Sequence, residues 1–138
     1  MKKVIFYLFL LVVGIVTGCS SALDNSFTIK SIAQETVFVN FLGRLITVKP
    51  NSTQIIQNIS KGTYAFSTSY NVPSGVTSTS VEGDAEGTVE LKEGTRIYLF
   101  FSSRIQQTQG SGGAGAQNSY ILVASLSSSD KIVSSTGP

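Results

Sequence analysis

Apolar and polar residues alternate along most of this chain with a period of two. Thr36 to Phe41 places Val37, Val39 and Phe41 on one face, and Thr63 to Tyr70 does the same with Tyr64, Phe66 and Tyr70. Ile97, Leu99 and Phe101 align between Thr95 and Phe101, as do Tyr120, Leu122 and Leu126 further on. Phe27 to Ile32, Leu45 to Lys49 and Thr53 to Ile59 are weaker strand candidates. Turn residues separate them at Leu42-Gly43-Arg44, Pro50-Asn51-Ser52, Ser60-Lys61-Gly62 and Lys92-Glu93-Gly94. After the first turns of the chain, apolar residues nowhere recur at helical spacing. Short strands with no helix to cover a sheet must bury their apolar faces against each other. The pattern predicts an all-β fold, an antiparallel β-sandwich of seven to eight strands over residues 25–128.

Val81 to Leu91 keeps period two for eleven residues, with Val81, Gly83, Ala85, Gly87, Val89 and Leu91 opposite Glu82, Asp84, Glu86, Thr88 and Glu90. It reads as one strand, with a bulge or a close approach of backbones near Gly83 or Gly87. Two segments share apolar-x-x-Gly-Thr: Ile59-Ser60-Lys61-Gly62-Thr63 and Leu91-Lys92-Glu93-Gly94-Thr95. Both read as hairpins, a repeated way of turning within a chain long enough for one core. Ile59 to Phe66 also resembles the apolar-x-x-Gly-x-Tyr strand entry of transthyretin-like and carboxypeptidase-regulatory-like sandwiches. That resemblance implies a fold of the immunoglobulin-like or transthyretin-like kind and no activity. Asn71–Ser80 and the glycine-rich Gln106–Ser119 read as long loops, the second mobile, and residues 129–138 as a polar tail.

The first turns of the chain are different. Lys2 and Lys3 precede an apolar run from Val4 to Val16, then Thr17, Gly18 and the only cysteine, Cys19. A basic start, a short apolar stretch and small residues before a cleavage point make residues 1–18 a signal peptide, too short for a lasting membrane span. Val16-Thr17-Gly18-Cys19 resembles the lipobox of bacterial lipoproteins. The resemblance implies cleavage before Cys19, diacylglycerol on its Sγ, an N-acyl chain such as palmitate, and, with Ser20 rather than aspartate next, the outer membrane where the organism has one. Residues 19–24 would then be an acylated tether reaching about 20 Å at full extension. Such a tether holds the domain to one face of the membrane, periplasmic or surface.

Composition narrows the chemistry. Lys2 and Lys3 belong to the ten basic residues, so the remainder balances the eight acidic ones. Without a basic patch, nucleic acid has nothing to track. There is no histidine, and an acylated Cys19 is no nucleophile, which removes the common triads and the usual zinc ligands. No cofactor and no catalytic residue is expected, and no metal site is assigned. Glu82, Asp84 and Glu86 could gather calcium only if their strand bends, because alternate side chains stand well apart along a regular strand. Ser128-Ser129-Asp130-Lys131 matches Ser-x-x-Lys by chance in a serine-rich segment, and Gly110-Ser111-Gly112-Gly113 lacks the ending and helix of a phosphate loop. Phe38, Tyr98 and Phe100 face away from the aliphatic side of their strands, forming a second core wall or an exposed binding stripe.

These observations point to a lipid-anchored envelope protein whose sandwich binds or supports another envelope component, a protein or a glycan. The alternative is a small hydrolase or inhibitor domain working through Glu82, Asp84 and Glu86, which would need acids across a cleft. Cys19→Ala should abolish partitioning into detergent and leave an uncleaved or soluble precursor. Wild-type protein recovered from the aqueous phase with an unmodified Cys19 would refute the tether.

Overall fold

The computed structural model describes residues 24–110, 112–113 and 115–130. The expected signal peptide, Cys19, most of the expected tether and residues 131–138 lie outside them. Nine strands are present among the described residues: β1 (Asn25–Ser31), β2 (Val37–Phe41), β3 (Arg44–Val48), β4 (Ser52–Ile59), β5 (Gly62–Tyr70), β6 (Ser78–Gly83), β7 (Glu86–Leu91), β8 (Arg96–Thr108) and β9 (Gln117–Ser128). They form a five-stranded sheet, β4-β1-β8-β9-β6, and a four-stranded sheet, β3-β2-β5-β7. The fold is the all-β sandwich that the alternation demands.

The alternating faces explain the layers. Phe27, Ile29, Ile97, Leu99, Phe101, Tyr120 and Leu122 come from one sheet, Val37, Val39, Phe41, Val48, Phe66, Val89 and Leu91 from the other, and all are buried. Aromatic rings bridge the layers. Phe27 of β1 lies 4.4 Å from Phe41 of β2 and 6.2 Å from Phe66 of β5, centroid to centroid, both tilted. Tilted aromatic pairs add to the hydrophobic gain from area alone.

The wiring departs from expectation in three ways. First, the five-stranded sheet is not wholly antiparallel: β1 runs parallel to β8, and β6 parallel to β9. Only β2–β3 and β8–β9 are hairpins, and every other connection crosses to the opposite sheet. A chain that changes layer so often brings strands in beside partners from distant sequence, in either direction. The order also differs from the ABED and CFG sheets of an immunoglobulin constant domain.

Second, the paired Gly-Thr segments are corners between sheets, not hairpins. Ser60 and Lys61 carry β4 into β5, and Lys92 to Thr95 carry β7 into β8. They lie side by side, joined by Lys61 Nζ donating to Glu93 Oε1 at 3.0 Å. Both side chains are exposed, so the pair contributes at most about 1 kcal/mol. The two threonines differ: Thr95 is buried and Thr63 is exposed.

Third, Val81–Leu91 is two strands in different sheets. Gly83 has φ +82°, and the chain turns there from β6 into β7. Asp84 N–H donates to Ala124 O at 3.0 Å, and Asp84 Oδ2 accepts from Leu126 N–H at 3.3 Å, so Asp84 closes the edge of β9 where β6 leaves it. The expected close approach is at Gly83, where a Cβ would collide with the carbonyl oxygen of Ala124. Gly87 instead pairs in register with Phe66.

A real bulge occurs in β4. Asn25 pairs with Ile59 and Phe27 with Ile56, leaving one extra residue on β4, and Asn58 there has φ +55°. The extra residue turns both Ile56 and Ile59 toward the core. Gly83→Ala must displace Ala124 and force an alanine to positive φ. It should lower the unfolding free energy by about 2–4 kcal/mol in a denaturant titration. A loss below about 1 kcal/mol would contradict the close approach.

Candidate functional site

The sandwich has two unlike ends. At the end where β1 begins lie Asn25, Ile59 at the end of β4, both Gly-Thr corners and the end of β9. Asn25 Oδ1 accepts from Thr95 N–H at 2.8 Å, and Asn25 Nδ2 donates to Ile59 O at 3.0 Å. Thr95 Oγ1 accepts from Lys92 N–H at 2.9 Å and donates to Asp130 Oδ2. Ser129 is held by the Arg96 backbone, donating its N–H to Arg96 O at 3.0 Å and accepting from Arg96 N–H at its Oγ at 2.9 Å. Ser129 and Asp130, assigned by sequence to the polar tail, are thus part of the folded base.

The opposite end carries both long loops that the sequence singles out, and it brings them together. The strands reach further into the loops than expected, so the connections shrink to Asn71–Thr77 and to residues 109–116. Thr77 donates to Asn118 O through its N–H at 2.9 Å and its hydroxyl at 3.1 Å. Asn118 Nδ2 donates to Gly75 O at 3.3 Å, and the Ser78 and Ser119 hydroxyls share a hydrogen bond. Asn71 N–H donates to Thr36 O at 3.0 Å, adding the β1–β2 connection to the same cluster. Exposed Val72 and Ile105 stand at this end. Beneath it, Tyr120 is fully buried, its ring 5.8 Å from that of Tyr70, and its hydroxyl has no hydrogen-bond partner among the described residues. Thr68 Oγ1 and Asn118 Oδ1 are likewise buried without partners.

The other candidates separate. Tyr98 and Phe100 are partly exposed neighbours on the outer face of the five-stranded sheet, whereas Phe38 belongs to the other sheet. The three therefore do not form one stripe. Glu82, Asp84 and Glu86 do not share a face either. Glu82 lies on β6 and receives Arg104 Nη2 at 2.7 Å, Asp84 caps β9, and Glu86 opens β7 in the other sheet. By register, Arg104 faces Ile121 and Glu82 faces Val123, so their ion pair passes over β9 and helps bury Ile121. Among the described residues no group of three acids could hold a metal ion. A cleft of about 450 Å³ beside β7 and the end of β9 does gather Asp84, Glu90 and Asp130 from three elements. Two of those carboxylates already accept structural hydrogen bonds, from Leu126 and Thr95.

A second cleft, of about 320 Å³, opens near the base between the β2–β3 hairpin and the bulge of β4. Phe41, Leu42, Ile46, Ile56 and Tyr64 line it with Arg44. The Tyr64 hydroxyl donates to Ser60 O at 2.8 Å across its floor. Leu42 and Gly43 form the two-residue turn with φ +54° and +69°. Positive φ at both positions is the type I′ geometry for which Asn-Gly is the preferred pair. The sequence marks a turn here, but not that a leucine must sit in the left-handed region.

Comparison with protein-family models, curated proteins and solved structures found no match. The functional reading therefore rests on the geometry and the sequence alone.

Tyr120→Phe removes a buried hydroxyl that bonds to nothing, so stability should stay level or rise by up to about 1 kcal/mol. A loss above about 2 kcal/mol on denaturation would show that the hydroxyl is satisfied in solution, by a buried water.

Proposed function

We propose that this chain is a lipid-anchored cell-envelope protein whose sandwich is a non-catalytic binding or structural module. It presents its loop end to another envelope component, a protein or a glycan. The observation that carries the reading is the opposition of the two ends. The described chain starts at the base, a few residues after Cys19, while at the far end the connection Asn71–Thr77 is tied to Asn118 at the start of β9, where the β8–β9 connection ends. Rigid sheets hold such loops in a fixed arrangement, which is how sandwich domains carry recognition. An acylated Cys19 on a tether of about 20 Å would keep the base at the bilayer and turn the loops away from it. The outer membrane is the proposed location, following from Ser20.

The carboxylate-dependent hydrolase or inhibitor keeps one supporting observation, the cleft lined by Asp84, Glu90 and Asp130. Asp84 and Asp130 serve the fold there, which leaves Glu90 without a second free acid in that cleft.

A photo-reactive residue placed at Val72 or Ile105 should trap one reproducible envelope partner in intact cells. The same probe at Thr47, on the outer face of β3, should trap none. Identical adduct patterns from all three positions would overturn the assignment of recognition to the loop end.

A further inference from the structure

Leu42 is unfavourable twice over where it stands. It occupies a left-handed position, φ +54°, that asparagine or glycine fills at less cost. It also leaves its side chain 40 % exposed at the tip of a hairpin. Next along the chain are Arg44, which forms no ion pair among the described residues, and Leu45, 66 % exposed. Of the three non-glycine residues at positive φ among the described residues, the other two are asparagines, Asn51 and Asn58. A leucine strained in its turn and partly exposed, with a second exposed leucine and an arginine beside it, points to a contact outside the domain.

Its position says what that is. Leu42 lines the cleft that contains Asn58, Ile59 and Ser60, and those same three residues line a neighbouring hollow with Asp24 and Asn25. The hairpin tip and the point where the tether enters thus flank one short segment at the base. Resting on the lipid-tether reading above, we propose that the β2–β3 hairpin tip touches the bilayer. Leu42 and Leu45 enter the interface, and Arg44 meets the lipid phosphates. Apolar side chains beside a cation are the pattern of an interfacial contact, and anionic lipid supplies the complementary charge. This contact fixes how the tethered domain stands on the membrane, with its loop end outward.

The test uses the full chain, matured and acylated in cells, then reconstituted into vesicles of phosphatidylethanolamine and phosphatidylglycerol. With Cys19 acylated, Leu42→Cys or Val72→Cys supplies the single reactive thiol for an environment-sensitive fluorophore. The label at 42 should emit to the blue and be quenched by lipids carrying a shallow nitroxide. The label at 72 should be quenched several-fold more by aqueous iodide. Equal iodide access at both positions overturns the contact. Leu42→Asn gives a second reading, since asparagine suits the turn. Its denaturation midpoint should rise, while the slow amide exchange of residues 41–45 on vesicles should be lost. A lower midpoint would mean that the leucine serves folding, and unchanged exchange that it does not meet lipid; either overturns the proposal. An aqueous chain whose mass shows no acyl groups refutes the tether and this inference together. An acylated, vesicle-bound chain with residue 42 in water refutes the hairpin contact alone.

Discussion

Asn25 and Thr95, buried polar residues at the base, make the contact on which the rest of the fold depends. The first strand runs parallel to β8, far away in sequence, and no tight turn can deliver a parallel partner. The Asn25 amide fixes that pairing by joining the end of β4 to the start of β8. Thr95 then draws in the β7–β8 corner and Asp130 beyond β9. Each hydrogen bond here contributes only about 1 kcal/mol net, but leaving one partner buried and unpaired costs more, about 1–3 kcal/mol. The base therefore closes in one arrangement or pays that penalty, and the arrangement places the entry of the chain at this end.

From a closed base, strand length decides what the other end looks like. β1 accompanies β8 only from Arg96 to Phe101, while β8 itself continues to Thr108. The remaining half of β8 stays in place through β9, and β9 through β6, whose parallel pairing starts at Ser78 opposite Ser119. That pairing is what brings Asn71–Thr77 against the start of β9, at Asn118. The loop end is thus a consequence of two strands outrunning their neighbours, and beneath it lies the buried Tyr120 hydroxyl, without a partner among the described residues.

The alternation of side chains carried most of the architecture. The inward faces of β2, β5, β8 and β9 were legible because burial on one side of a strand imposes period two whatever the strand pairs with. Pairing itself leaves no such trace. Nothing in Ile59 to Thr63 distinguishes a corner from a hairpin, because both need a glycine between apolar strands. Val81 to Leu91 keeps its period through a change of sheet, since each sheet sees the same inward face before and after Gly83. The carboxylate row Glu82, Asp84 and Glu86 dissolved for that reason. Phe38, Tyr98 and Phe100 were correctly read as facing away from the core side of their strands, yet which sheet each would join was invisible. The strain at Leu42 was hidden too, because φ is a property of the closed turn and not of the residue.

The open edges bear on the proposed tether. Two open sheets leave unpaired backbone groups that invite another copy to add a strand. Several devices interrupt these edges and the ladder ends beside them. Asn58 bulges β4, Arg44 stands at the inward-facing end of β3, and Asp84 occupies the place on β9 that β6 vacates. Beyond β1, Ser103 Oγ accepts from Gln34 N–H at 2.8 Å on the free side of β8, and Arg104 is committed across β9 to Glu82. β7 exposes Glu86 and Glu90. For a freely diffusing domain such protection matters only in concentrated solution. For one tethered through a lipid, neighbours share a surface and an orientation, and edge meets edge far more often. On the tethered reading, the acids and cations that look like scattered surface charge have a common role, keeping parallel-standing copies from pairing while their loop ends remain free to bind.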